Sequence, residues 1–341
     1  MNKTVLVTGA GGYIGSVATY ELLKSGYKVI ALDNFSTGYK KPLEILQEKF
    51  GKENIVIFQK DLIDDLSEIF KENPDISSII HFAASALVDE SMKNPQKYFN
   101  NNICGTLNLL KFSLEHDVNK IIFSSTCAVY GEAKYVPIDE EHPTTPINPY
   151  GLSKRIVEQI LDSYGKNLGL KYVILRYFNV CGASDDGLIG DSKKPSTLLV
   201  QNAVRGALNI EPFYLTCPEV DTSDRSPVRD YVNVLDLADA HIKALGYLET
   251  RGESEIINIG TGTGFSVLEI VGAVQKLTGV KFEVKKGEAR EGEYAIMVAS
   301  VEKAKKILQW EPKRTLEDSI KSLVTWYKSH PKGWLLPPLP S

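Results

Sequence analysis

Long apolar runs are missing from this 341-residue chain. No stretch comes near the ~20 residues that a membrane-spanning helix requires, so no membrane partner is expected. A basic excess is missing too: Lys and Arg total 39 against 43 Asp and Glu, for a net charge of -4. That balance gives no electrostatic footing for a nucleic-acid partner. Cysteine is scarce, with four widely spaced residues (Cys104, Cys127, Cys181, Cys217) that form neither a metal-ligand nor a disulfide pattern. Five scattered histidines add no ligand cluster, so no metal is expected. Internal repeats and low-complexity tracts are absent. Met1-Asn2-Lys3 leads straight into a strand-like run without a targeting leader ahead of it. A soluble, reduced, cytoplasmic protein is the expectation.

What is present is ordinary for a globular chain: 43% hydrophobic and 24% charged residues, enough for one large domain or two. The first half alternates short β-branched runs with amphipathic stretches, the pattern of a parallel sheet flanked by helices. Strands are predicted at Thr4–Thr8, Val29–Leu32, Ile55–Phe58, Ile79–Phe82, Ile121–Ser124 and Val173–Arg176. Their continuous apolar character suits a sheet buried on both faces. Helices are predicted at Ser16–Ser25, Asn101–Glu115 and Pro149–Leu168. Beyond Asn179 the loops lengthen. Pro195–Leu208 reads as an isolated helix, and Asp230–Leu248 and Glu255–Ile259 as a helix and strand rejoining the main sheet. Trp334–Ser341 reads as a surface tail.

Thr8-Gly9-Ala10-Gly11-Gly12-Tyr13-Ile14-Gly15 runs from a strand through a glycine turn into a helix. Gly9, Gly12 and Gly15 let the backbone N–H groups at the helix start approach a pyrophosphate. Asp33, at the end of the second strand, can accept hydrogen bonds from an adenosine ribose and would repel a 2′-phosphate, which favours NAD over NADP. Asp61, closing the third strand, suits either an adenine-edge contact or a helix cap.

Tyr150 and Lys154 lie one helical turn apart on one face. A phenol titrates near ~10, and an ammonium held close lowers that value, which makes tyrosine usable as a general base. Thr126 follows the strand that ends in Ser124-Ser125, where parallel sheets bind ligands, and its hydroxyl can bridge a substrate hydroxyl and the tyrosine oxygen. Strand alternation predicts that Ser125 and Cys127 turn to the opposite face as packing residues.

With these motifs go His81-Phe82-Ala83-Ala84, Asn101-Asn102, Arg176-Tyr177-Phe178-Asn179, Val228-Arg229-Asp230-Tyr231 and Asn258-Ile259-Gly260. Over nearly its whole length the chain resembles the extended short-chain dehydrogenase/reductase family and, within it, the UDP-glucose 4-epimerases. The resemblance implies an α/β fold: a Rossmann doubly wound parallel sheet with a smaller C-terminal substrate-binding domain. Residues 1–178, rejoined by 230–260, would form the NAD-binding part, and 179–229 with 261–341 the UDP-sugar-binding part. It implies NAD as cofactor, lying along Tyr13, Ile14, Asn34, Leu62, Phe82, Ala83, Ala84, Asn101 and Phe178 in addition to the glycines, Asp33 and Asp61. It implies that Tyr150 removes the C4 hydroxyl proton of a UDP-sugar, with Lys154 and Thr126 beside it. The substrate would be held by Val88, Thr126, Asn179, Thr197, Leu198, Thr216, Arg229, Tyr231, Arg290, Glu293 and Met297. A homodimer built on the helices beginning near Asn101 and Pro149 is implied as well.

Departures from the epimerase pattern fall mostly on the substrate side. Thr197 stands where asparagine or histidine is common, Thr216 where an aromatic is frequent, and Ala86 where some members carry lysine. Arg225 adds a bulky charge beside the substrate loop, and Glu293 replaces aspartate. Met297 and Val88 are ambiguous about bulk at the sugar C2 substituent. The 4-epimerases of UDP-N-acetylglucosamine, UDP-xylose or UDP-glucuronate therefore stay open as alternatives. A 4,6-dehydratase is disfavoured, because Cys127-Ala128 occupies the place of that reaction's Asp-Glu pair. A non-catalytic nucleotide sensor is disfavoured by the intact Tyr150 and Lys154.

Overall fold

The computed structural model describes residues 3–193, 196–250, 252–288 and 294–334. Its first half runs β1 (Thr4–Thr8), α1 (Tyr13–Lys24), β2 (Lys28–Asp33), α2 (Lys41–Phe50), β3 (Ile55–Gln59), α3 (Ser67–Glu72) and β4 (Ile76–His81). There follow α4 (Val88–Lys93), α5 (Pro95–Tyr98), a π-helical turn (Phe99–Cys104), α6 (Gly105–Glu115), β5 (Lys120–Thr126), α7 (Pro149–Leu168) and β6 (Lys171–Tyr177). The second half holds β7 (Asn179–Cys181), α8 (Leu199–Ala207), β8 (Phe213–Leu215), β9 (Val228–Asn233), α9 (Val234–Thr250) and β10 (Glu255–Ile259). It closes with β11 (Gly264–Ser266), α10 (Val267–Thr278), β12 (Val284–Lys286), β13 (Ile296–Met297), α11 (Glu302–Leu308) and α12 (Leu316–Ser329).

Seven parallel strands form the main sheet in the order β3-β2-β1-β4-β5-β6-β10. Alternate residues of its strands feed two cores. Val5, Val7, Val29 and Ala31 pack with helices α1, α2 and α9 on one face. Leu6, Ile30 and Leu32 pack with α3, α6 and α7 on the other. All are fully or almost fully buried, as a doubly covered parallel sheet requires. The chain order reverses between β1 and β4, so the ends of these two strands open a crevice, the place where such sheets bind ligands.

The predicted strands are all found, extended by one to three residues at most ends. Four expectations need correction. Asn101–Glu115 is not a uniform α-helix: Phe99–Cys104 is wound as a π turn. There the buried Asn102 side chain bonds Ser85 O at 3.1 Å and Ser153 Oγ at 2.9 Å, a local widening of the helix of the kind common at functional sites. The helix predicted from Asp230 starts only at Val234, because Asn233 Oδ1 accepts from Leu235 N at 2.8 Å and ends a strand there. That strand, β9, belongs to a second sheet with β7, β11 and β13, while β10 alone rejoins the main one. Asp230 fixes β9 in place by accepting from Thr261 N, Gly262 N and Ala299 N. The helix predicted from Pro195 begins at Leu199, and Pro195 lies outside the described residues. Trp334 is buried against Trp326 and His330 rather than draped on the surface; the rest of that tail lies outside the described residues.

A buried polar network fixes α7 against the sheet. Glu158 accepts from Arg176 Nε at 2.9 Å and Nη2 at 2.7 Å, and from Ser125 Oγ at 2.6 Å. Arg176 Nη1 reaches Tyr130 Oη at 3.1 Å, and Tyr130 donates to Asn258 at 2.6 Å. Both charged groups of the pair are nearly inaccessible. Removing one partner leaves an uncompensated buried charge, so Arg176→Met should lower stability by about 3–5 kcal/mol in urea titration. The double variant Arg176→Met/Glu158→Leu should recover most of that loss. A single variant within 1 kcal/mol of the wild type, on the order of a surface change, would refute this weight.

Candidate active site

Two clefts open on the carboxyl side of the strands. The first, of about 390 Å³, is lined among others by Gly9, Gly12, Asp33, Asn34, Asp61, Leu62, Phe82, Ala83, Ala84, Ala86 and Asn101. Gly9 has φ +68°, and a Cβ there would stand 2.6 Å from Ala83 N. A Cβ on Gly15 would stand 2.0 Å from Gly9 O. The turn therefore admits only glycine at these two places. Gly12 is the N-cap of α1 and no side chain caps it, so the first helical N–H groups are available to an anion. Asp33 Oδ2 accepts from Gly11 N at 2.9 Å and Oδ1 from Phe35 N at 2.7 Å. Burial raises the Asp33 pKa while those two bonds oppose the shift. Asp61 caps no helix: it accepts from Asn34 Nδ2 at 2.7 Å and faces the cleft. These residues fit a dinucleotide: glycines where its diphosphate must come close, and an acid at the end of β2.

Three expected cofactor residues have their side chains outside the first cleft, so that Tyr13 and Ile14 could meet a diphosphate only through the backbone N–H groups at the start of α1. The Tyr13 hydroxyl donates to Gly182 O and pins α1 to the chain after β7. Ile14 packs in the core. Phe178 is buried beside Val129, Tyr130 and Met297 in a third apolar cluster. None of these three lines the first cleft.

Behind that cleft, His81 sits between Thr8 Oγ1 at 2.6 Å and Thr106 Oγ1 at 2.8 Å. Burial and the Lys154 charge pull its pKa down to about 3. Lys154 is itself buried, and its Nζ donates to Ser124 O at 2.8 Å while lying over the Phe123 ring. Burial brings this ammonium down to about 7, with the Glu158 carboxylate opposing. Tyr150 is one turn earlier on α7, whose N-cap Asn148 accepts from Gly151 N at 2.8 Å. Burial holds the Tyr150 phenol well above its ordinary value, the neighbouring Tyr177 adds to this, and the Thr126 hydroxyl opposes it. The sequence argument has Lys154 lowering the phenol; in the folded chain burial outweighs every stabilising neighbour.

Tyr150 lines neither cleft but is linked to each through a neighbour. Its ring meets that of Tyr98 edge-on at 6.4 Å, and the Tyr98 hydroxyl bonds Glu90 at the end of the first cleft. On the other side lies Cys127. It was expected on the opposite face, but a 3₁₀ turn begins at this residue and strand alternation stops. Ser125 does turn away, to Glu158, whereas Cys127 is close enough to Tyr150, Tyr177, Tyr294 and Arg229 to affect their charge or feel it. Burial pushes its thiol up to about 11, so it is unreactive.

The second cleft, of about 90 Å³, brings together Asn179, Thr197, Thr216, Arg229 and Tyr231 with Asn202, Tyr214 and Cys217. Five predicted substrate residues are thus collected, from β7, β9 and the segments around α8 and β8. Leu198 is the N-cap of α8, and Leu199 rather than Leu198 lines the cleft. Val88 is exposed at the start of α4 and lines neither cleft. Met297 is buried in the third apolar cluster and pairs in register with Arg229. Arg225 points into solvent and pairs with Glu219 at 3.2 Å, away from the cleft. Arg290 and Glu293 lie outside the described residues. Sequence reasoning missed Ser124, whose Oγ meets Tyr177 Oη at 3.1 Å, and the Asn102–Ser153 bond that ties the π turn to α7. It also missed the buried Tyr294 hydroxyl, which has no hydrogen-bond partner among the described residues.

A doubly wound sheet with a glycine turn at its switch point defines a dinucleotide-binding protein of Rossmann type. Residues 5–260 match the NAD dependent epimerase/dehydratase family, and the chain belongs to it. It is 41% identical to the UDP-glucose 4-epimerase of Lactobacillus helveticus over 97% of this chain and 98% of that one. It is also 41% identical to UDP-arabinose 4-epimerase 1 of Arabidopsis thaliana, over 97% of this chain and 80% of that one. The solved UDP-glucose 4-epimerase of Bifidobacterium longum, in complex with NAD+ and UDP, superimposes with a TM-score of 0.92. It is 37% identical, and the match covers 97% of this chain and all of that one.

The buried histidines give the fold an acid limit. His241, on α9, is brought down to about 4 by burial, and His81 to about 3. Both stay neutral in the folded state while the unfolded chain protonates near ~6.5. Stability is therefore lost as pH falls from there toward the folded values, by up to about 1.4 kcal/mol per pH unit for each histidine. Urea titrations between pH 7 and 5 should show His241→Gln losing less stability than the wild type. Equal losses would contradict the assignment.

Proposed function

We propose that the chain is a UDP-glucose/UDP-galactose 4-epimerase, an isomerase that uses tightly bound NAD. The observation that carries this reading is a glycine-built dinucleotide cleft and a polar cleft holding Asn179 and Arg229, with Tyr150 linked to the first through Tyr98 and toward the second through Cys127. The 41% identity to a UDP-glucose 4-epimerase over almost the whole of both chains supports it.

In this reading Tyr150 takes the proton of the sugar C4 hydroxyl, with Thr126 bridging the two oxygens. NAD, when bound, supplies a hydride acceptor and donor at C4 and, in its oxidised form, a positive charge near the phenol. A phenol raised by burial gives up its proton only where cationic charge collects beside it. Lys154, fixed by Ser124 O, is the chain's own source of that charge. Loss of the C4 hydroxyl proton and of hydride from C4 leaves a 4-keto sugar. Turning of that ketone, return of hydride to its opposite face and return of the proton to the C4 oxygen give the epimer with no net oxidation. Arg229 and Asn179 hold the diphosphate through charge-assisted bonds while the sugar is left free to turn.

Residues 1–178 with 234–260 serve the cofactor, and 179–233 with 261–341 the UDP-sugar, because β9 and Tyr231 go with the second cleft. A cytoplasmic homodimer completes the proposal. In this reading α6 and α7 form its interface, although Phe112, Leu114, Ile160 and Tyr164 on them already pack against the chain's own core. Among the described residues no helix is long and apolar enough to cross a membrane. A second reading, a 4-epimerase of a different UDP-sugar, is favoured by the equal identity to a UDP-arabinose 4-epimerase. Cys127 and Tyr294, which no sequence motif selected, also alter the polar character beside Tyr150 and Arg229.

Proton NMR of UDP-glucose with the purified protein, no NAD added, should show the UDP-galactose anomeric signal rising to a steady ratio. No change, from protein that carries NAD, would move the assignment to the second reading. Tyr150→Phe should lower turnover by about 10²–10⁴-fold while NAD stays bound, as loss of a general base does. Surviving turnover would remove Tyr150 as the base.

A further inference from the structure

Residues Asp191–Lys193 reach the first cleft from the chain beyond β7, and several bonds hold them there. The Tyr39 hydroxyl donates to Ser192 O at 2.8 Å, while Tyr39 N donates to Gly11 O at 2.9 Å. The segment is thereby tied through one residue to the glycine turn. From the other side, Trp326 Nε1 donates to Asp191 O at 2.8 Å and Trp334 N to Ser192 Oγ at 3.0 Å. Lys193 N then donates to Asp191 Oδ1 at 3.2 Å. With its backbone held in this way, the Lys193 side chain lines the same cleft as Gly9, Gly12 and Gly38.

Three lysines line that cleft: Lys60, Lys97 and Lys193. Lys60 is paired with Glu68 at 2.7 Å and Lys97 with Glu90 at 2.6 Å. The other Glu90 oxygen is taken by the Tyr98 hydroxyl at 2.9 Å. Asp191, next in line, spends its oxygens on Lys193 N and on Ser196 Oγ and Tyr327 Oη, each at 3.5 Å. Among the described residues Lys193 has no ion pair of its own. Burial lowers its pKa, and Asp191 and Glu90 attract it without contacting it. A partly buried ammonium in this position is costly unless an anion meets it. Ala86, in the same cleft, brings no charge.

We infer that Lys193 is a cofactor-binding residue whose ammonium is the counter-charge to the diphosphate of the bound dinucleotide. The inference rests on the NAD reading above. The cofactor's diphosphate is chosen over that of the UDP-sugar because Lys193 shares its cleft with Gly9 and Gly12. Arg229 and Asn179 line the other cleft. Lysine serves here as a point charge, which suits a diphosphate reached from one side only. It also makes the C-terminal half of the chain a participant in holding the cofactor.

The test is NAD release from the purified holoenzyme, followed by fluorescence of the freed cofactor after enzymatic reduction. Lys193→Met should release NAD about tenfold faster than wild type, the usual effect of losing one charge-assisted contact. Lys193→Arg should stay within about twofold, because the charge is kept. Salt should speed release from the wild type more than from Lys193→Met. The KM for UDP-glucose should change little in NAD-saturated Lys193→Met. Equal release rates for wild type and Lys193→Met overturn the inference, and so does a loss in Lys193→Arg as large as in Lys193→Met. A rise in KM with unchanged NAD release would assign Lys193 to the sugar nucleotide and overturn it also. Wild-type protein that carries no NAD would instead refute the cofactor reading on which it rests.

Discussion

The Glu158 carboxylate is the constraint on which the rest of the active site depends. It lies two turns along α7 from Tyr150 and one from Lys154, so all three project from one helix face. Arg176 and Ser125 hold it from the sheet, which sets the rotation of the helix about its axis. With that rotation set, Lys154 meets Ser124 O and Tyr150 comes to the end of β5. A purely apolar helix face would pack as tightly, yet it would tolerate small rotations. A paired carboxylate does not, since each lost bond leaves a buried polar group unsatisfied.

The second constraint is steric. At the switch point the backbones of β1 and β4 come so close that Gly9 faces Ala83 with no room for a side chain. The same closeness brings the α1 N-terminus to the cleft. Asp33 then has two tasks: it fixes the turn through Gly11 and Phe35, and its remaining lone pairs face the cleft at the end of β2. An acid here is thus part of the turn's own hydrogen bonding, and replacing it would disturb the glycine loop as well as any ribose contact.

How much was legible in the sequence follows from how local each signal is. The main-sheet strands, the glycine turn, Asp33 and the Tyr150–Lys154 spacing depend on a few adjacent residues, and each is found where its pattern puts it. The second cleft depends on β7, β9 and the segments around α8 and β8 converging. The residues collected there were reached through family resemblance, and Leu198 and Val88 fall outside the clefts. Cys127 was misplaced because strand alternation was carried one residue too far, past the point where Thr126 accepts from Ala128 N and the chain turns. The β9 strand was read as helix because its Asp230 acts through distant backbone partners, Thr261, Gly262 and Ala299, that no local window contains. Lys193 carries no motif at all. Its position is set by Tyr39, Trp326 and Trp334, which are far apart in the chain.

The charge states at Tyr150 and Lys154 have to be considered together. Burial drives both groups toward neutrality, the phenol upward and the ammonium down to about 7. Ionising the phenol alone in such a site is costly, because water no longer solvates the anion. Ionising it beside a held ammonium costs far less, since the low dielectric that penalises an isolated charge also strengthens the attraction between neighbours. In the proposed mechanism the basicity needed for a C4 hydroxyl would therefore belong to the assembled group of charges rather than to the tyrosine. The same reasoning explains why the neighbouring Cys127 stays a thiol. It shares the desolvation, which outweighs the nearby Arg229 charge and holds its pKa up at about 11. One buried acid in this pocket is arranged to lose its proton in company, and the other is left to keep it.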